Sequence, residues 1–450
     1  MKKLSALVLA VFTLYPGLAA QAASDAGKDK PYVVVITLDG FPARALQDPM
    51  LPMPTLRALA AQGSFATAMR PVNPTVTWPN HTTLVTGVDA SKHHVMANGL
   101  IELSPEKAKV EIEPWVDKSR LVHAETLYEL ASQRGLTTAQ VDWVAIYGAH
   151  GVTWEFGEKP DAAGPIAKEL VDQSIVTRDQ IEHFGKGSSP AWRDEIWTDA
   201  AVDIIERHQP NLLLLHLLET DTIQHAYGPL TAGAYAAYAY ADTCVARVVE
   251  AVRKAGLLDR TTFFLVSDHG FASFTHSIHL EVGLEQQGLL HKDGDHTPSS
   301  VLVKAEGGAA QIFLPDEKQR AALVLKLKMY FASLPGVAHV YTNEEALAIG
   351  LPSERDTDQA PQLYLTADQD YAFSDGAADS LVTTHPAEGQ HGYLNTDPNM
   401  QALFIASGAR IRPRVSLGAI TNLSIAPTIA EILGVNLRSA QEKPLEQILK

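Results

Sequence analysis

A chain of 450 residues, 46% of them apolar, can bury a sizeable core, enough for one large α/β domain with insertions or for two domains. Its formal charge of −16 argues against non-specific binding to nucleic-acid polymers and against docking on anionic lipid. It leaves a small phosphate substrate open, because cations bound in a cleft reverse the local field.

The chain begins MKKLSALVLAVFTLYPGLAAQA, with Lys2 and Lys3 as a charged start, a mostly apolar stretch from Leu4 to Leu18, and Ala20-Gln21-Ala22 as a small-x-small site. This is the layout of a bacterial-type secretory signal peptide over residues 1–22. The apolar run is short and broken by Pro16, whereas a membrane span needs about 20 apolar residues. The expectation is a cleaved leader and a periplasmic or secreted protein with no membrane span, whose formal charge becomes −18 once Lys2 and Lys3 leave.

Residues Tyr32 to Leu38 form an apolar strand that runs directly into Asp39 and Gly40. A helix is expected over Pro54 to Gln62. The segment Asn73-Pro-Thr-Val-Thr77-Trp78-Pro79-Asn80-His81 follows, with Pro74 and Pro79 stiffening the approach and Asn80 to Val85 opening a helix. A hydroxyl at such a helix start can face an anion, and Thr77 becomes a nucleophile if a base or metal lowers its pKa. Otherwise it merely caps the helix.

Asn98 to Lys118 and Thr153 to Ser189 read as irregular, with helices over Arg120 to Arg134, Trp192 to His208 and Ala234 to Ala255. Cys244, the only cysteine, excludes an intrachain disulfide and sits in an apolar pattern as a small core residue. The strand Leu212 to Leu218 leads to Asp221 and His225, four apart and so on one helical face, either sharing a metal or serving as a cap and a surface histidine. The strand Thr262 to Val266 leads to Asp268-His269-Gly270, a good ligand pair for a divalent metal. From about 288 to 390 the chain mixes strand-like pieces (Gln311 to Leu314, His339 to Tyr341, Gln362 to Leu365) with a charged helix over Glu317 to Phe331, read as a smaller inserted subdomain. His391 stands in a glycine-rich turn, a strand is expected over Ala402 to Ile405, and a helix over Ile425 to Leu433.

Apolar runs alternating with amphipathic helices predict βαβ units and a mainly parallel sheet covered on both faces, with ligands at the carboxyl ends of its strands. Asp39, Asp221, Asp268, His225, His269 and His391 fall there or in turns, and can fill two metal sites with nitrogen and oxygen donors.

The segments ITLDGF (36–41), NPTVTWPNHTTLVTG (73–87), ETDTIQHAYGP (219–229), VSDHG (266–270) and EGQHGY (388–393) resemble, in order and spacing, the nucleotide pyrophosphatase/phosphodiesterase family of the alkaline phosphatase superfamily. SKHHVMANG (91–99) and TNLSIAPTIAEILGV (421–435) look like structural segments of the same family. The resemblance implies an alkaline-phosphatase-like catalytic domain over residues 30–450 with two zinc ions. One would be held by Asp221, His225 and His391, the other by Asp39, Asp268, His269 and the Thr77 hydroxyl. Thr77 would attack phosphorus and form a phospho-threonine intermediate that water releases. Asn80, with the Thr77 backbone N–H, would bind a non-bridging oxygen, and Trp78 would lie against the substrate's base.

Two departures are visible: His216 stands where a tyrosine commonly completes the clamp on the base, and Gln224 where a glycine often precedes the ligand histidine. No Lys or Arg lies within several residues of Thr77, which favours a diester over a more highly charged monoester. The expected activity is therefore a metal-dependent phosphodiesterase or nucleotide pyrophosphatase acting on small molecules. A phosphomonoesterase or phosphonate hydrolase on the same scaffold is the alternative. A sulfatase would need Cys or Ser where Thr77 stands, and a mere binding protein would need no nucleophile.

Overall fold

The computed structural model describes residues 30–291 and 298–450, so the expected leader lies outside the described residues. Among the described residues no helix is long and apolar enough to cross a membrane.

Eight strands form the central sheet, in the order Val415–Thr421, Ser64–Arg70, Phe404–Gly408, Thr261–Val266, Tyr32–Leu38, Leu212–Leu217, Thr138–Val141 and Trp154–Phe156. Only Phe404–Gly408 runs antiparallel to its neighbours, so the sheet is mainly parallel, as its near-continuous apolar strands require. Side chains alternate strictly between two cores. Val34, Ile36 and Leu38, with Leu213, Leu215 and Leu217, pack under the helices Pro190–His208 and Ala232–Lys254. Val33, Val35, Leu212 and Leu214 pack under Leu127–Gln133 and Ile425–Leu433 on the other face.

The helices Pro54–Gln62 and Ile425–Leu433 have the bounds expected from sequence. The continuous helix expected over Arg120 to Arg134 is instead a short turn, Lys118–Leu121, and a separate helix, Leu127–Gln133. The stretch from Asn98 to Lys118, read as irregular, contains the hairpin Leu100–Ser104 with Lys109–Glu113.

Between residues 302 and 367 lies an antiparallel sheet in the order Leu302–Glu306, Ala309–Phe313, Leu363–Ala367, Val337–Thr342, with Leu323, Leu327 and Phe331 of the helix Glu317–Ala332 in its core. A third sheet matters most for the site. Val382–Gln390 pairs antiparallel with Ala272–Ile278, setting Gln390 opposite Ala272. That register returns the chain to the point where it left the central sheet, and so carries His391 back beside His269.

Cys244 is 1% exposed, and burial pushes its thiol up to about 11. Because the thiolate is the reactive form, a thiol reagent at pH 8 is expected to leave the folded protein unlabelled and to modify one thiol per chain in denaturant. Rapid labelling of the native protein would contradict this packing.

Candidate active site

Three strand ends and one helix start converge. Asp39 follows Tyr32–Leu38, Asp268 and His269 follow Thr261–Val266, and Asp221 and His225 sit on the helix Glu219–Tyr227 that follows Leu212–Leu217. Thr77 is the first residue of the helix Thr77–Thr86, every residue of which is buried. Its hydroxyl lies 3.5 Å from His269 Nε2. His269 Nε2 is in turn 3.5 Å from Asp39 Oδ1 and 3.3 Å from Asp268 Oδ2. Asp221 Oδ1 is 3.4 Å from His225 Nε2 and 3.8 Å from His391 Nε2.

The histidines share one pattern. The Nδ1 atoms of His225, His269 and His391 lie 3.2, 3.2 and 3.0 Å from the backbone carbonyls of Gly389, Gly270 and Thr75. A carbonyl only accepts, so each Nδ1 carries a proton, and the neutral rings of His269 and His391 present Nε2 lone pairs to the cluster, whereas burial opposes a charge on His225 but Asp221 beside it raises that imidazole above its ordinary value. Burial holds His269 down at about 4 and His391 well below its ordinary value, keeping both neutral.

The carboxylates behave as an uncompensated group. Burial, with Asp268 and Asp221 alongside, drives Asp39 well above the usual carboxylate range. For Asp221 burial acts in the same upward direction, but its ion pair with His225 more than offsets it and holds the group low. Asp39 Oδ1, Asp221 Oδ1 and Asp268 Oδ2 are buried with no hydrogen-bond partner among the described residues. Orphaned carboxylate oxygens facing neutral imidazole lone pairs suit divalent cations. The donor atoms of Asp221, His225 and His391 lie within 4.8 Å of one another, as do those of Asp39, Asp221 and His269. Asp268 joins this group through His269 while its Oδ1 accepts the Gly40 N–H at 3.0 Å.

Two expectations are corrected. Asn80 is fully buried, its amide N–H groups donate to the carbonyls of Pro74 (2.9 Å) and Val76 (3.0 Å), and its Oδ1 accepts from Val72 N–H and Asn422 Nδ2. It braces the chain ahead of Thr77 and has no hydrogen left for substrate. His216 is not half of a base clamp: its Nε2 is 2.9 Å from Asp39 Oδ2 and its Nδ1 is 3.0 Å from Asp142 Oδ2. Burial opposes a charge there, but the hydrogen bonds to Asp142 and Asp39 prevail and raise His216 well above its ordinary value.

Three residues escaped the sequence reading. Asn98 lines the same cleft as Thr77, and its Oδ1 accepts the Trp78 N–H at 3.0 Å, which aims the side-chain amide at the first turn of the helix. His81 lies one helical turn beyond Thr77; its Nδ1–H donates to the Thr77 carbonyl at 2.9 Å and its Nε2 is 2.8 Å from the Thr37 hydroxyl. Asp142 is the far partner of His216. The Asn-Gly pair at 98–99 and the i, i+4 spacing of Thr77 and His81 were the available signals.

Gln224 takes up structural work at its departure from the family pattern. Its Nε2 donates to the carbonyls of Gly40 and Thr220, both at 2.9 Å, and its Oε1 accepts from Tyr238 at 2.6 Å. Trp78 lines both the 310 Å³ cleft and an adjoining 730 Å³ cavity that also contains Trp143. Trp154 stacks on His208 instead and lines neither. Among the described residues no Lys or Arg lines the cleft itself, while Lys159 lines the adjoining cavity.

Removing the Asn80 side chain strands buried groups at Val72, Pro74, Val76 and Asn422. Asn80→Ala is expected to cost about 1–3 kcal/mol in denaturant unfolding; an unchanged midpoint would show that these contacts stabilise nothing.

The chain resembles bovine (Bos taurus) ectonucleotide pyrophosphatase/phosphodiesterase family member 3, at 22% identity over 93% of this chain and 44% of that protein. It resembles the venom phosphodiesterase of Naja atra at 22% identity over 90% of this chain and 45% of that protein. The chain thus spans less than half the length of these two relatives. Among solved structures, an inactive form of murine ectonucleotide pyrophosphatase/phosphodiesterase 5 in complex with AMP superposes with a TM-score of 0.70 at 18% identity, covering 94% of this chain and all of that one. This likeness establishes the alkaline-phosphatase-like fold expected from the sequence. The type I phosphodiesterase/nucleotide pyrophosphatase family model matches residues 33–394, and the chain belongs to that family.

Proposed function

We propose that this protein is an exported, two-zinc phosphodiesterase or nucleotide pyrophosphatase that cleaves small phosphate diesters through a covalent intermediate on Thr77. The observation that carries the reading is the convergence of three imidazole Nε2 atoms and three orphaned carboxylate oxygens beside the Thr77 hydroxyl. Export rests on the leader-like residues 1–22.

Asp221, His225 and His391 would hold one zinc, and Asp39, Asp268 and His269 the other together with the Thr77 oxygen. Zinc, when bound, supplies Lewis-acid polarisation of phosphoryl oxygen and lowers the pKa of a coordinated hydroxyl. The chain's own part is positional. Thr77 Oγ1, once deprotonated, forms a new bond to phosphorus as the bond to the departing alkoxide breaks on the opposite side. Water then cleaves the threonyl ester and restores the hydroxyl. His81, held at about 3 by burial and therefore neutral, anchors the Thr77 carbonyl so that the hydroxyl keeps its aim. The Thr77 N–H, without a helical partner at the first turn, and the Asn98 amide would hold the non-bridging oxygen, in place of the Asn80 expected from sequence. Trp78 gives the leaving or retained organic group a flat apolar surface, where stacking is worth about 1–3 kcal/mol.

The absence of Lys and Arg from the cleft lining favours a diester, which carries one charge, over a monoester, which carries more. Turnover of bis-p-nitrophenyl phosphate is therefore expected to exceed that of p-nitrophenyl phosphate; the reverse order would favour the monoesterase. Elemental analysis of the purified protein is expected to find about two zinc ions per chain. Thr77→Ala should keep the metal content and lose about a thousandfold or more in rate, while Asn98→Ala should lose about a hundredfold without a change in fold. Near-normal rates for Thr77→Ala would remove the covalent route.

A further inference from the structure

Away from the cleft, the helix Pro165–Asp172 packs against the helix Pro190–His208 beside the strand Trp154–Phe156. Glu169 comes from the first helix, Asp203 and His208 from the second, and none of the three lines the active-site cleft. One ligand atom from each can be chosen so that all lie within 4.8 Å of one another. His208 Nε2 is 2.9 Å from Glu169 Oε2 and 3.2 Å from Oε1, and the His208 ring is held by stacking on Trp154 with centroids 3.8 Å apart.

Asp203 is the informative member. It is 5% exposed; its Oδ1 accepts from Gln173 Nε2 at 2.6 Å and pairs with Arg207 Nε at 2.7 Å. Its Oδ2 is buried and accepts from no N–H or O–H donor among the described residues. Burial, with Glu169 alongside, holds the Asp203 carboxyl above the usual range, as expected for two crowded acids. His208 serves Glu169, and the crowded Asp203 and Glu169 carboxyls are left to share either a proton or a cation.

We propose that Glu169, Asp203 and His208 form a second, non-catalytic metal site that binds a divalent transition cation of the zinc class and ties the two helices together. One imidazole nitrogen and two carboxylate oxygens form the mixed donor set that zinc accepts, whereas calcium and magnesium favour oxygen alone. The two carboxylates supply negative charge for a dication, with Arg207 already paired to the Asp203 Oδ1. Partly exposed Glu169 and His208 leave a face open for water as the fourth ligand.

The test uses the full chain, stripped with a chelator and dialysed against zinc chloride. Metal content is compared between the unaltered protein, Asp203→Asn and Glu169→Gln, and zinc-edge anomalous difference density is collected from crystals grown with the metal. The expected result is a loss of about one zinc per chain in each variant, unchanged diester turnover, and an anomalous peak bonded to all three residues. Glu169→Gln, at a partly exposed position, keeps the comparison valid if Asp203→Asn fails to fold. Equal zinc content in the unaltered protein and Glu169→Gln, or no anomalous density at this cluster, would overturn the site.

Discussion

Asp39, Asp221 and Asp268 crowd one buried pocket, where His225 faces Asp221 and His216 faces Asp39, but among the described residues three carboxylates meet only two such partners. Like charges in a medium of low dielectric repel strongly unless a cation or a proton intervenes. His225 pairs with Asp221, but His269 and His391 are the wrong partners for ion pairing, because burial keeps them neutral and their protons sit on the far nitrogen. His216 touches Asp39 from behind, and it also serves Asp142. A pocket built in this way suits divalent cations, and the remaining architecture serves to assemble it.

Parallel strands deliver their carboxyl ends to a common edge, which is how Asp39, Asp268 and the helix bearing Asp221 come together across Tyr32–Leu38, Thr261–Val266 and Leu212–Leu217. The antiparallel return of Val382–Gln390 along Ala272–Ile278 adds His391 from far along the chain. That return requires a close backbone approach. A Cβ at Gly389 would stand 2.0 Å from the Gln224 carbonyl oxygen, so glycine is needed for the strand to pass the metal-site helix.

Much of this was legible in the residues. Each carboxylate ligand follows an apolar strand, and the strands Tyr32–Leu38 and Leu212–Leu217 are too uniformly apolar to be anything but buried. The central-sheet strands Ser64–Arg70 and Val415–Thr421 were not legible: they pair at the sheet's edge, carry exposed polar positions and lack a continuous apolar run. Asn80 was misread for a related reason. Its proximity to Thr77 in sequence suggests a shared task, but a side chain in the first helical turn folds back on the carbonyls that precede the helix, and those of Pro74 and Val76 take its hydrogens. Asn98 comes to the same helix start from a separate loop, and no periodicity links the two. His216 was singled out but given another role, and Asp142 had no signal at all, since a buried carboxylate–imidazole–carboxylate chain is made by neighbouring strands and not by spacing within one.

The account rests on Thr77 making the bond to phosphorus, with water entering only in a later step. Stereochemistry at phosphorus reports this directly. A phosphorothioate diester of defined configuration, hydrolysed in isotopically labelled water, passes through two successive in-line displacements if Thr77 is the nucleophile, and the product then retains configuration. Inversion would mean a single attack by water, and would contradict the role given to Thr77.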